Sequence, residues 1–250
     1  MPEALTQALQ TEGLVWLALA YLIAGVIRGF TGFGTALIVV PVAGIFLAPE
    51  TIILLIATSG MLSNIILLPR AWREGDRGEV GILALAAVIG VPLGVAAIAV
   101  VDNVTVRWIV TGVITVTLLA VVSGWQWRGR LGLSGLSAVG FGAGAVGGLT
   151  ALTGPIALMF YLANARRAEA VRANMILFLG ALDVLLIANV AWRHSVSWEV
   201  VWLGVIVSVP YLISITLGQA LFDPSRERLY RVAAYLVVLG AVLTGLPLWE

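Results

Sequence analysis

Arg28 stands near the middle of an otherwise uncharged apolar stretch, Leu14 to Ala48, directly before a glycine-rich break, Gly29-Phe30-Thr31-Gly32-Phe33-Gly34, and then Pro41. A related break, Gly140 to Gly148 followed by Pro155, interrupts a second apolar stretch past the midpoint. Glycine and proline break a helix, and a broken helix at membrane depth is tolerated only where protein or a water-filled cavity surrounds it. Two such breaks in corresponding places point to a duplicated transporter.

The composition sets the solvent. Of 250 residues, 61% are hydrophobic and 11% charged, and the mean hydropathy is +1.07, which leaves too little polar surface to cover a soluble domain. Apolar segments run over about 14–47, 51–69, 80–101, 108–125, 131–163, 173–191, 200–221 and 229–248. Each reaches the roughly 20 residues that cross a hydrocarbon core as helix. None shows the period-2 alternation of barrel strands, so the expected fold is an all-α polytopic membrane bundle. No cleaved signal is expected, because no Lys or Arg precedes Leu14 and the first apolar run is too long for a signal core.

Arginine placement distinguishes two topologies. All fourteen basic residues are Arg. With eight full spans, six of the border arginines fall on one side and seven on the other, which orients nothing. If the two glycine-broken segments are re-entrant hairpins, one side carries Arg70, Arg73, Arg77, Arg128, Arg130, Arg166, Arg167, Arg172, Arg226, Arg228 and Arg231, and the other only Arg107 and Arg193. That bias favours six full spans and two hairpins with both termini outside; a pair of long kinked spans is the competing arrangement. A hairpin plus three spans is an odd number of crossings, so the halves, 1–129 and 130–250, would be inverted repeats. Ala71-Trp72-Arg73 and Ala191-Trp192-Arg193 correspond, as do Glu79 and Glu199, Asp102 and Asp223, Arg107 and Arg231, and Trp125 and Trp249.

The pattern Gly25-x-x-x-Gly29-x-x-Gly32-x-Gly34 with Pro41, echoed by Gly144-x-x-Gly147-Gly148 with Pro155, resembles the sulfite exporter TauE/SafE family of membrane transporters. The resemblance covers nearly the whole chain. It implies transport, commonly outward, of a small sulfur-containing anion such as sulfite, thiosulfate or an organosulfonate. The expected setting is a bacterial inner membrane with periplasmic termini. Phe33 and Thr35 depart from the more glycine-rich family pattern beside Gly32 and Gly34.

The residues suit that substrate class. An intramembrane Arg costs about 2.5–3.5 kcal/mol on insertion scales and therefore faces protein, water or a partner. Its planar guanidinium grips an oxyanion with two parallel hydrogen bonds, or it caps carbonyls at the break. Glycine N–H groups at Gly29, Gly32, Gly34, Gly147 and Gly148, with the N-termini of the returning half-helices, can form an anion-binding concavity. The same glycines also permit close helix packing. Thr31, Thr35, Thr150 and Thr153 are candidate hydroxyl donors.

Asp183 is the one carboxylate inside an apolar segment and is either a proton-coupling group or a structural partner for Arg28. Asn64, Asn174 and Asn189 suit interhelical hydrogen bonds or the lining of a path. His194, beside Arg193, reads as a solvated interfacial histidine. Border arginines also meet lipid headgroups, and nothing calls for nucleic acid. With no Cys, one His and no phosphate-binding loop, the chain presents no catalytic, metal or cofactor motif. An anion channel or an uptake permease for another small organic anion is the alternative function.

Overall fold

The computed structural model describes residues 2–123, 132–163, 168–193 and 196–220. The apolar segment 229–248 lies outside the described residues, as do Trp125, Arg128, Arg130, Arg166, Arg167, His194, Asp223, Arg226, Arg228, Arg231 and Trp249.

Ten α-helices follow one another with no strand among the described residues: α1 (Pro2–Leu9), α2 (Leu14–Thr31), α3 (Thr35–Ala43), α4 (Pro49–Glu74), α5 (Arg77–Ala97), α6 (Asn103–Val122), α7 (Leu133–Thr150), α8 (Pro155–Ala163), α9 (Ala168–Arg193) and α10 (Trp198–Ala220). The chain is all-helical, as its unbroken apolar runs dictate in lipid. Among the described residues, six helices are long and apolar enough to cross a membrane: α4, α5, α6, α7, α9 and α10. The sequence reading also had six spans, taking α7 as an arm of the second hairpin and counting 229–248, which lies outside the described residues. The short α1, unforeseen in the sequence, is bent by 79° from α2 at Gly13 and packs on α10.

Local chemistry explains both breaks. The α2 helix stops where Gly32, at φ 81°, takes the left-handed conformation and returns its N–H to the Arg28 carbonyl at 2.8 Å, an αL cap that spares L residues their Cβ clash. The α7 helix stops in the same way at Ala151, φ 62°, with its N–H on the Gly147 carbonyl at 2.9 Å. After each break the chain folds back. Phe46, just beyond α3, lies against Gly13 at the start of α2, where a Cβ on that glycine would fall 2.5 Å from the ring. Likewise Ile156 of α8 approaches Gly142 of α7, and Thr153 approaches Gly147.

The helices of the two halves match in length and order: 18 residues in α2 and α7, 9 in α3 and α8, and 26 in α4 and α9. Packing is exchanged between the halves. α5 lies chiefly on α7, α10 on α2, and α4 on α9. Glycine permits the first two contacts, because a Cβ on Gly90 or Gly94 would strike the backbone of α7, and one on Gly25, Gly29 or Gly218 would strike the α10–α2 contact. Without a hydrophobic drive between helices in lipid, such close approach is the main source of attraction.

The surface is apolar, with Ile65, Leu85, Ile89 and Leu119 all exposed. Trp16, Trp72, Trp108, Trp192 and Trp198 lie exposed near helix ends, where interfacial aromatics belong. The Arg77 guanidinium sits 5.5 Å over the Trp72 ring. The chain is an integral membrane protein by this surface.

Candidate anion site at the first break

The central pair of helices, α4 and α9, carries polar side chains into the middle of the bundle. Asn64 is the sixteenth residue of α4 and Asp183 the sixteenth of α9. Asn64 Nδ2 donates to Asp183 Oδ2 at 3.3 Å. Each side chain has room because the opposite helix offers a glycine. The Asp183 carboxylate lies over Gly60, and the Asn64 amide over Gly180.

Arg28 reaches this pair from α2. Its Nη2 donates to Asn64 Oδ1 at 3.5 Å, so Asn64 bridges the cation and the carboxylate. Arg28 is 4% exposed and Asp183 3%. The buried Arg28 Nε has no hydrogen-bond partner among the described residues. A guanidinium that is desolvated and incompletely satisfied costs stability that only a ligand or water would recover.

A small cavity opens beside it, lined by Arg28, Phe33, Gly34, Thr35, Gly60, Thr153, Gly154, Asp183 and Tyr211 among others. It encloses about 20 Å³, above the roughly 10–15 Å³ that one water needs by the same measure. Thr35 Oγ1 and Tyr211 OH share a 2.6 Å hydrogen bond across its edge. Behind them Tyr21 meets Tyr211 edge to face, at 5.2 Å between ring centroids, and shares a 2.9 Å hydrogen bond with Ser59.

The cavity thus gathers Arg28, Gly34, Thr35, Thr153 and Asp183 of the residues singled out in the sequence, with Asn64 joined to them through its side chain. The other candidates have different surroundings. The Thr31 hydroxyl donates to carbonyl oxygens of Ile27 and Phe33 and accepts from the Phe33 N–H; Thr150 likewise bonds the Val146 carbonyl and the Leu152 N–H. Both threonines close the ends of their helices. Gly29 offers its carbonyl to Arg172 Nη2 at 2.6 Å, and Arg172 also lies against Gly32. A border arginine in the sequence therefore ties α9 to the tip of the first break.

Gly147 and Gly148 serve close packing, Gly148 against Val91 and Val95 of α5. A Cβ on Gly148 would fall 2.5 Å from the Val91 carbonyl oxygen. Gly148→Ala is expected to cost about 1–3 kcal/mol of stability through overpacking, read as a lowered thermal midpoint in detergent, with anion affinity retained. Asn174 accepts from the Asp76 N–H at 2.7 Å and donates to Glu79 at 3.3 Å, fastening the α4–α5 connection to α9, away from the cavity lining.

Sequence reading missed Tyr211 and Gly60. Tyr211 is a fully buried tyrosine next to Pro210 in an apolar helix, and a phenol in such a place was the available signal. Gly60 carried none, because only its neighbour across the α4–α9 contact gives it meaning.

A family model described as sulfite exporter TauE/SafE matches residues 17–244. No curated protein and no solved structure matches the chain.

Proposed function

Because the chain belongs to the sulfite exporter TauE/SafE family, whose members are membrane transporters of sulfur anions such as sulfite, we propose that it exports a small sulfur oxyanion. The site we assign is the cavity at Arg28. The observation that carries this reading is a buried guanidinium, its Nε without a partner among the described residues, on a cavity flanked by hydroxyls. Arg28 supplies planar donors for two oxygens of the anion, and Thr35, Tyr211 and Thr153 supply hydroxyls. Gly34, at φ 104°, lets the backbone turn close to the ligand without a side chain in the way.

The matching helix lengths and exchanged packing support two repeats, 1–129 and 130–250, inverted in a bacterial inner membrane with both termini periplasmic. In that arrangement the paired Asn64 and Asp183 lie at the junction of the repeats. Rocking one repeat against the other would open the site to each face in turn. Asp183 is the group on which a proton would travel with the anion. An inside-negative potential favours outward movement of net negative charge by about 2.3 kcal/mol per charge per 100 mV, so a dianion such as sulfite or thiosulfate keeps an electrical driving force for efflux even with one proton in company.

The test is exchange of labelled sulfite in proteoliposomes. Saturable uptake that accelerates when unlabelled sulfite is loaded on the opposite side is expected of alternating access. Flux that rises linearly with concentration, with no such acceleration, would establish a channel in its place.

A further inference from the structure

The peptide that follows Arg28 is clamped from α2, α9 and α10. At the C-terminal end of α2 the carbonyls run out of intrahelical partners. The Arg28 carbonyl takes the Gly32 N–H at 2.8 Å. The Phe33 N–H, which in a continuing helix would meet the Gly29 carbonyl, instead donates to the Thr31 hydroxyl at 3.3 Å. The Gly29 carbonyl accepts from Arg172 Nη2 of α9 at 2.6 Å. On the other side α10 closes in, since a Cβ on Gly29 would strike the Ile215 carbonyl. Gly32 leaves room for the Arg172 stem, because a Cβ there would fall 2.8 Å from Arg172 Cγ.

Those bonds decide where the Arg28 guanidinium points. Its own side-chain bond to Asn64, at 3.5 Å, is long and constrains the fork only weakly. The 2.6 Å bond from Arg172 is short, and a charge-assisted bond is about twice as strong as a neutral one. Arg172 also shares a helix with the other charge of the site. Asp183 follows it by eleven residues on α9, about three turns, which places both on one face. Through Arg172, and through Asp183 with Asn64, α9 therefore holds Arg28 at its backbone and at its tip.

We propose that Arg172 is a positioning residue for anion binding, fixing the α2 terminus so that the Arg28 fork meets the cavity in register with Asp183. Arg172 lies outside the cavity lining and acts through Arg28. The proposal rests on the transport reading above and adds a residue to that site.

The test is a cycle of two substitutions, read as the half-saturating sulfite concentration for exchange in proteoliposomes. Arg172→Gln is expected to raise it about tenfold, the lower end of what a hydrogen bond to a charged group is worth, with the maximal rate retained. In an Arg28→Lys background the same substitution should change it by no more than about twofold, the scatter of uncoupled sites. An ammonium on a flexible stem needs no oriented fork. A tenfold rise in both backgrounds would mean that Arg172 acts by its charge or by general stability, and would overturn the proposal. So would an unchanged half-saturation, or a lowered maximal rate alone. Arg172→Met, which keeps an apolar stem against Gly32, replaces Arg172→Gln if that variant does not fold. Hydrogen exchange gives a readout without sulfite. The Gly32 and Phe33 amides should lose protection in Arg172→Gln, and retained protection would also overturn the proposal. Failure of the transport reading has a separate signature: absent sulfite exchange in the unmodified protein, with that loss of protection still seen in the variant.

Discussion

Arg28→Ala protein is expected to lose binding of sulfite and thiosulfate. Among the described residues the guanidinium is the one cation lining the central cavity, and removing one partner of a buried, hydrogen-bonded charge pair costs about 2–5 kcal/mol. In affinity that is a loss of about 30-fold to several thousand-fold. Arg28→Lys keeps the charge and discards the planar fork, so its affinity should fall between the two, with poorer discrimination against acetate. Titration calorimetry on purified protein, with sulfate and acetate as comparison anions, reads both effects. Arg28→Ala also takes the donor from Asn64 Oδ1 and leaves the buried Asp183 without its nearby cation. Thermal unfolding should accompany the titration for that reason, and Arg28→Lys remains informative if the alanine variant unfolds. Undiminished sulfite affinity in folded Arg28→Ala would reduce Arg28 to a structural link.

Asp183→Asn is expected to separate binding from proton movement. The replacement keeps the volume over Gly60 and an oxygen for Asn64 Nδ2, while removing the titratable group. The reason for coupling is electrostatic. Two like charges roughly 5 Å apart repel by about 3 kcal/mol at an effective dielectric of 20. An anion arriving at Arg28 therefore helps a proton arrive at Asp183, and the proton helps the anion. Thiosulfate carries no proton near neutral pH, so proton flux accompanying its exchange comes through the protein. A pH-sensitive dye inside proteoliposomes should follow that flux in the unmodified protein and show it abolished in Asp183→Asn, with exchange retained. Undiminished proton flux in the variant would remove Asp183 from coupling and leave it as the structural partner of Asn64.

Positions that correspond in the proposed two-repeat arrangement carry different residues at the site. The fifteenth residue is Arg28 in α2 and Gly147 in α7; the sixteenth is Asn64 in α4 and Asp183 in α9. One half brings the cation and the amide, the other the carboxylate and a close-packed glycine. The proposed pair of repeats would thus hold, among the described residues, one charged site built from both.

Much of this was legible without coordinates. An otherwise uncharged apolar run with an arginine and clustered glycines already required a helix broken inside protein, because lipid admits neither a free charge nor unpaired backbone. Thr31 and Thr35 show where legibility ended. They are the same residue type, four apart, beside the same glycines, yet Thr31 caps its own helix while Thr35 faces Tyr211 and the cavity. Arg172 and Asn174 show it again. Both sit in the opening turns of α9, and only packing reveals that one grips the tip of the first break and the other an α4–α5 connection.

The amino-acid order by itself determined the solvent, the helices, the places where they break and the identity of the buried charges. Those follow from local propensities and from the cost of moving polar groups into hydrocarbon, which each segment meets on its own. Tertiary structure decided which polar groups meet. Asn64 and Asp183 lie 119 residues apart, and Thr35 and Tyr211 lie 176 apart. Their contacts depend on which helix faces are close enough to touch, a choice made by glycines such as Gly60 and Gly180 acting on a distant partner.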